Sequence, residues 1–275
     1  MNQAVVAYAF QLRKFRRGVA TGVLGTIVAC GSGAAANVQN GNDTGVSNNN
    51  MAAGKSSAVR SESTETSENA SAAAAARAVT RARTPVVLFF GTSLTAGYGL
   101  NPDQAFPTLI EEKARTEGLP IKAVNAGLSG ETPAGAVRRI DWVLRTPADL
   151  VVIEAGANDA LRGLSTTAAK ANLEQLVAAV RQRQPQAKIA LVQMEAPPNY
   201  GVAYTSSFRR IYSDVAAKEG LPLLPFLLSG VAGISRLNQA DGVHPNATGE
   251  KIVTDNVWKA LKPLVAQLDR GLKSG

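Results

Sequence analysis

The 275 residues hold one histidine, His244, in the segment Asp241-Gly242-Val243-His244-Pro245-Asn246. A general base working near neutral pH is most naturally an imidazole, and a carboxylate three residues away can bond its other ring nitrogen. Pro245 pushes His244 out of helical geometry, so the Asp-x-x-His pair is expected in a turn just ahead of a helix. A base of this kind needs an acidic hydrogen to take. Ser93, in Gly91-Thr92-Ser93-Leu94-Thr95-Ala96-Gly97-Tyr98-Gly99, offers an alcohol that becomes a nucleophile once deprotonated, and amides of its own turn can hold a developing oxyanion.

Two more turns carry groups suited to that oxyanion. In Asn125-Ala126-Gly127-Leu128-Ser129-Gly130 the amide of Gly127 has no side chain to keep a ligand away. In Gly156-Ala157-Asn158-Asp159 the carboxamide of Asn158 can donate an N–H. Each feature alone has an ordinary explanation: a structural histidine, a plain strand-to-helix turn, an Asx turn or helix N-cap. Jointly they match the parts list of acyl transfer, and Ser, Asp, His is one of the chain orders that builds such a triad.

Competing chemistries fail on spelling. A dinucleotide loop read through Gly97 and Gly99 needs glycine at 102, where Pro102 stands. The sole Gly-Lys-Ser, Gly54 to Ser56, has Asn49 where a phosphate loop needs glycine. The Gly-x-Ser-x-Gly elbow is absent because Thr95 follows Ser93 where glycine would be required. One histidine without a cysteine cluster argues against zinc, and neither a metal nor another cofactor is expected.

The elements that must position these groups are legible as apolar runs. Val86 to Phe90, Ile121 to Val124, Leu150 to Ile153, Ile189 to Val192 and Leu221 to Leu224 read as strands buried on both faces. Amphipathic stretches near 104–117, 133–145, 166–183 and 205–219 separate them, and a last helix is expected over about 247–262. Alternation of this kind gives parallel strands with right-handed crossovers. The expected fold is a flavodoxin-like, three-layer α/β/α sandwich with a five-stranded parallel sheet, whose sites lie beyond the carboxyl ends of the strands.

Along the chain, composition divides it into residues 1–30, 31–83 and 84–275. The middle part is rich in Ala, Ser, Asn and Gly and reads as a disordered tether. The first part has Arg13, Lys14, Arg16 and Arg17 ahead of an uncharged run from Gly18 to Ala29, the pattern of a secretion signal. The run ends Ile27-Val28-Ala29-Cys30, which resembles a bacterial lipobox; Cys30, the only cysteine, would then carry lipid and tether the protein to a membrane. The plainer alternative is ordinary cleavage between Gly31 and Ala36. Both imply export, to the periplasm or to the outer membrane as an anchored lipoprotein. The net charge of +8 is mostly a tail property, since nine Lys/Arg and four Asp/Glu in residues 1–83 give +5 and leave +3 for the remainder. No nucleic-acid motif accompanies it, and no nucleic-acid partner is expected.

The four blocks around Ser93, Gly127, Asn158 and His244 together resemble the GDSL or SGNH hydrolase family, in particular its bacterial acyl-CoA thioesterase/lysophospholipase and arylesterase branch. The likeness covers about residues 84–265, and Pro197-Pro198-Asn199-Tyr200-Gly201 is similar to that branch's substrate-side loop. The resemblance implies Ser93 as nucleophile, His244 and Asp241 as its partners, and an oxyanion hole made from the Ser93 and Gly127 amides with the Asn158 side chain. It implies small-molecule ester or thioester substrates, aryl esters and lysophospholipids among them. Thr92 departs from the family, which usually has aspartate before the nucleophile. Leu94, Tyr98, Leu128, Leu161, Pro197, Tyr200 and Val243 are candidates for an apolar wall along the acyl chain. Two rival functions use the same fold: a carbohydrate acetylesterase, and a non-catalytic envelope lipoprotein.

Overall fold

A computed structural model describes residues 83–274. The expected secretion signal, Cys30 and nearly all of the expected tether lie outside those residues. Five parallel strands form one sheet: β1 (Val86–Gly91), β2 (Lys122–Gly127), β3 (Leu150–Ile153), β4 (Lys188–Val192) and β5 (Leu223–Leu224), in the spatial order β2-β1-β3-β4-β5. The expected sandwich is the observed one. The helices are α1 (Ser93–Ala96), α2 (Phe106–Thr116), α3 (Pro133–Val143), α4 (Ala157–Arg162), α5 (Thr166–Arg183), α6 (Gly201–Glu219) and α7 (Ala247–Ser274). Helix α2 packs with α7, while α5 packs with both α3 and α6. Right-handed crossovers send the first pair to one face and the other three to the opposite face.

Burial explains the sheet. β3 is buried throughout and β1 is buried from Val87 onward, as central strands covered on both faces must be. The edge strand β2 is half-exposed and correspondingly less apolar. It runs on to Gly127, beyond the apolar run ending at Val124, because β1 pairs with it residue for residue as far as Gly91. β5 shrinks to two residues between Pro222 and Pro225, which have no N–H to give to a ladder.

α7 is longer than expected and passes through Pro263. A proline inside a helix loses one hydrogen bond and crowds the preceding turn. Here Val253, Val257, Trp258, Leu261 and Val265 are all buried along one face, and that packing holds the helix together across the gap. The short helices α1 and α4 escape periodicity reading altogether, being barely more than one turn.

Register decides where chemistry can occur. Gly91 stands opposite Gly127, and Phe90 stands opposite both Ala126 and Ile153. The chain segments after β1, β2 and β3 therefore leave the sheet at one level, beside the point where strand order reverses about β1.

Candidate active site

Ser93 begins α1, immediately beyond β1, and His244 lies in the loop that leads into α7. The His244 Nε2 is 2.9 Å from Ser93 Oγ, and its Nδ1 is 2.7 Å from Asp241 Oδ2. The other carboxylate oxygen, Oδ1, accepts the backbone N–H groups of Val243 (2.8 Å) and His244 (3.0 Å). Burial alone would raise the Asp241 carboxyl; hydrogen bonds from the His244 amide and ring and from the Val243 amide outweigh it and hold the group below its usual range. An ionised carboxylate only accepts, so Nδ1 carries hydrogen and Nε2 is the ring nitrogen that faces Ser93.

The loop carrying the base is fastened to the turn carrying the serine. Gln239 donates from Nε2 to Tyr98 O (2.6 Å) and to Pro245 O (2.9 Å), while its backbone N–H donates to His244 O (2.8 Å). The Tyr98 ring leans on the imidazole with 4.7 Å between centroids. Nothing in the sequence marks Gln239, whose role arises only when residues 141 positions apart meet.

Among the oxyanion candidates, the Ser93 N–H belongs to the first turn of α1, where amides have no intrahelical acceptor. Asn158 is the second residue of α4, behind an N-cap supplied by Gly156, so its carboxamide is not consumed in capping. One of its N–H groups donates to Glu131 O at 2.9 Å, which orients the amide. Gly156 has φ of 103°, and a side chain there would meet the Tyr212 hydroxyl. The Gly127 N–H donates to Asn125 Oδ1 at 3.0 Å. Its glycine identity also has a packing cause, because a Cβ would strike the backbone of Ala96 in α1. Asn125 meanwhile donates to Thr95 O at 2.8 Å, so one side chain ties β2 to α1.

Two acidic residues beneath the site were not anticipated. Glu131 pairs with Arg139, whose Nη2 also reaches Ala126 O at 2.9 Å and whose guanidinium lies 4.4 Å from the Phe90 ring centroid. Glu154, 1% exposed, sits directly after β3 under the serine turn and accepts hydrogen bonds from Thr92 and Thr95. Burial pushes its carboxyl up to about 7 against the pull of those donors. A carboxylate following the wholly apolar Leu150–Ile153 run was the available signal.

The candidates for an apolar wall are distributed unevenly. Tyr98 (51% exposed) and Leu128 (49%) stand open beside the serine and Gly127 turns. Leu161 and Tyr200 are half-buried and joined, Tyr200 Oη donating to Leu161 O at 2.8 Å. Pro197 and Val243 are buried, and Leu94 belongs to the hydrophobic core. Tyr200 also starts a ladder with Tyr204, Phe208 and Tyr212 along α6, with successive ring centroids 5.2, 6.1 and 5.5 Å apart. Tyr204 donates to Leu164 O (2.9 Å) and Tyr212 to Ala155 O (2.7 Å), so this ladder braces both ends of α4.

With this geometry in view, the comparisons with known proteins are decisive for family. The model of the GDSL-like lipase/acylhydrolase family matches residues 89–252. The chain belongs to that family. This acylhydrolase is 40% identical over 187 residues to the esterase TesA of Pseudomonas aeruginosa, an overlap covering 67% of this chain and 92% of that protein. It is 33% identical over 180 residues to the thioesterase 1/protease 1/lysophospholipase L1 of Escherichia coli, covering 65% of this chain and 84% of the relative. Among solved structures, the psychrotrophic esterase EstA from Pseudoalteromonas, inhibited by monoethylphosphonate, superposes with a TM-score of 0.63 at 33% identity, over 66% of this chain and 99% of that one. The acylhydrolase is accordingly an enzyme, a carboxylic ester hydrolase of the GDSL type.

Proposed function

We propose that the enzyme cleaves carboxylic esters and acyl thioesters by two-step acyl transfer through Ser93, His244 and Asp241. The observation that carries this reading is the continuous chain of contacts from Ser93 Oγ to His244 Nε2 (2.9 Å) and from His244 Nδ1 to Asp241 (2.7 Å). His244 takes the Ser93 proton as Oγ attacks the acyl carbonyl, and the resulting imidazolium is stabilised by Asp241. The same imidazolium then protonates the leaving alkoxide or thiolate as the tetrahedral intermediate collapses to an acyl-enzyme. Water, deprotonated by His244, repeats the sequence and releases the acid.

The tetrahedral oxyanion is received by the Ser93 N–H and the Asn158 carboxamide, whose orientation Glu131 fixes. Gly127 joins them by sharing its N–H between Asn125 and the oxyanion, a weaker contribution than that of an unengaged amide. The exposed rings and side chains of Tyr98 and Leu128 support an acyl chain of some length next to the serine. They favour aryl esters, lysophospholipids and acyl thioesters over acetylated sugars. Names of the relatives, esterase and thioesterase/lysophospholipase, point the same way.

Hydrolysis of p-nitrophenyl acetate, p-nitrophenyl octanoate, an acyl thioester and acetylated xylan by the full chain tests the substrate class. Faster turnover of octanoate and thioester than of xylan acetate is expected; the reverse order would establish the carbohydrate esterase instead. Export remains part of the proposal, with Cys30 as the lipidated residue. Palmitate incorporation that disappears in Cys30→Ser supports the anchor, and an unlabelled native protein removes it.

A further inference from the structure

Ser93 has one helix turn to stand on, and that turn is gripped from below at the residues on either side of it. Thr92, just before Ser93, gives Glu154 its backbone N–H (2.8 Å to Oε2) and its hydroxyl (3.0 and 2.9 Å to the two oxygens). Thr95, two residues after Ser93, adds its own hydroxyl at 2.9 Å. The carboxyl can come this close only because Gly91 has no Cβ, which would overlap both Glu154 Oε2 and the Thr95 side chain. All these donors are neutral, and the site is out of contact with solvent.

Resting on the reading of Ser93 as nucleophile, we propose that Glu154 is a positioning residue that fixes the serine turn for attack, with Thr92 and Thr95 as its grips. The family's usual aspartate at position 92 would set a second acid against Glu154, and the two could bond only by sharing a proton. A threonine donates outright. Its side chain has one rotatable hydroxyl and a stiff χ1, so the bond also limits where the following residue can point. Glu154 itself is bonded at its backbone N–H to Phe90 O (2.9 Å), so the grip is anchored to the central strand β1, buried from Val87 onward. A buried carboxyl is costly unless its lone pairs are occupied, and Glu154 spends its own on the turn that presents the nucleophile rather than on a cation.

Misplacing a reacting atom by an ångström costs about 100-fold in rate without any loss of substrate contacts. The test uses the full chain, with Thr92→Val, Thr92→Ser and Glu154→Gln. Two quantities are measured: the rate at which an alkyl p-nitrophenyl phosphonate labels Ser93, located by peptide mass spectrometry, and kcat and KM on p-nitrophenyl octanoate. Thr92→Val and Glu154→Gln should slow labelling and kcat by roughly 10- to 100-fold with KM within about twofold of wild type. Thr92→Ser, which restores the hydroxyl, should recover to within about threefold. Thr92→Val and Thr92→Ser carry the test alone if Glu154→Gln does not fold. Labelling of Ser93 at wild-type rates in Thr92→Val, whatever happens to its melting temperature, would overturn the positioning role and leave the nucleophile reading intact. A slow Thr92→Val that Thr92→Ser does not restore would also overturn it. A wild-type protein that reacts elsewhere than at Ser93 would instead remove the nucleophile reading, and this proposal with it.

Discussion

The turn that carries Ser93 rests on a buried carboxylate, whereas the helix that carries Asn158 rests on tyrosine hydroxyls. Glu154 accepts from Thr92 and Thr95 on the first side, and Asp241 accepts from His244 in the loop above it. On the second side Tyr200, Tyr204 and Tyr212 each donate to a backbone carbonyl in or beside α4. Bonds to a carboxyl are about twice as strong as neutral ones when the acceptor is ionised. They also titrate. Burial pushes Tyr204 up to about 12 and Tyr212 well above its ordinary value, so these two hydroxyls keep their protons across the working range of pH. One wall of the site is thus held by acidic acceptors, and the other by phenol hydroxyls that keep their protons.

The comparison is strained most by Asp241→Asn. The carboxamide can retain the loop's backbone contacts but no longer holds the imidazole in the tautomer that faces Ser93, so kcat should fall by about 10⁴-fold with the fold intact. Steady-state kinetics beside circular dichroism checks this; a loss under tenfold would detach Asp241 from the mechanism. Next in size is Asn158→Ala, which removes one oxyanion donor without touching the tyrosine ladder. A fall in kcat of roughly 10² to 10³ is expected, with KM and melting temperature little changed.

Tyr212→Phe isolates the neutral wall. Its hydroxyl is fully buried on Ala155 O, so its removal should lower stability by about 1 kcal/mol, read from urea midpoints. Activity should fall only a few-fold, and equally at every pH. The smallest effect concerns Glu250, a buried carboxyl outside the site, in the first turn of α7, which accepts the Phe106 N–H at 3.0 Å. Burial pushes it up to about 8, whereas an unfolded glutamate loses its proton near roughly 4.3. Between those values the folded state holds the extra proton, so stability is full below the lower value and is lost as pH rises through the higher one. Melting curves from pH 5 to 9 should show that decline in wild type and a flatter profile in Glu250→Gln.

Much of this organisation was legible in the sequence, for identifiable reasons. Three of the apolar runs became the central strands β1, β3 and β4 nearly where expected because central parallel strands leave no room for polar residues. His244 and Asp241 were legible because three positions in a proline-bounded turn leave the ring and carboxylate few ways to miss each other. The spacing of four between Tyr200, Tyr204, Phe208 and Tyr212 was also open to view, yet their hydroxyls act on carbonyls of α4, a target set only by tertiary packing. Gln239 and Arg139 are further cases: their partners lie on other elements, and no local pattern announces them. The Gly127 amide shows the converse. A glycine at the right turn suggested an open donor, and nothing in the sequence signalled that its N–H also reaches Oδ1 of neighbouring Asn125.

The central claim is that Ser93 and His244 act as one unit, and hydrolysis of p-nitrophenyl octanoate by wild type, Ser93→Ala, His244→Ala and the double variant tests it most directly. All four proteins should share one circular dichroism spectrum. Each single substitution should reduce kcat by on the order of 10⁴-fold or more, and the double variant should be no slower than either. Losses that multiply in the double variant, or a single variant with near wild-type turnover, would contradict the account.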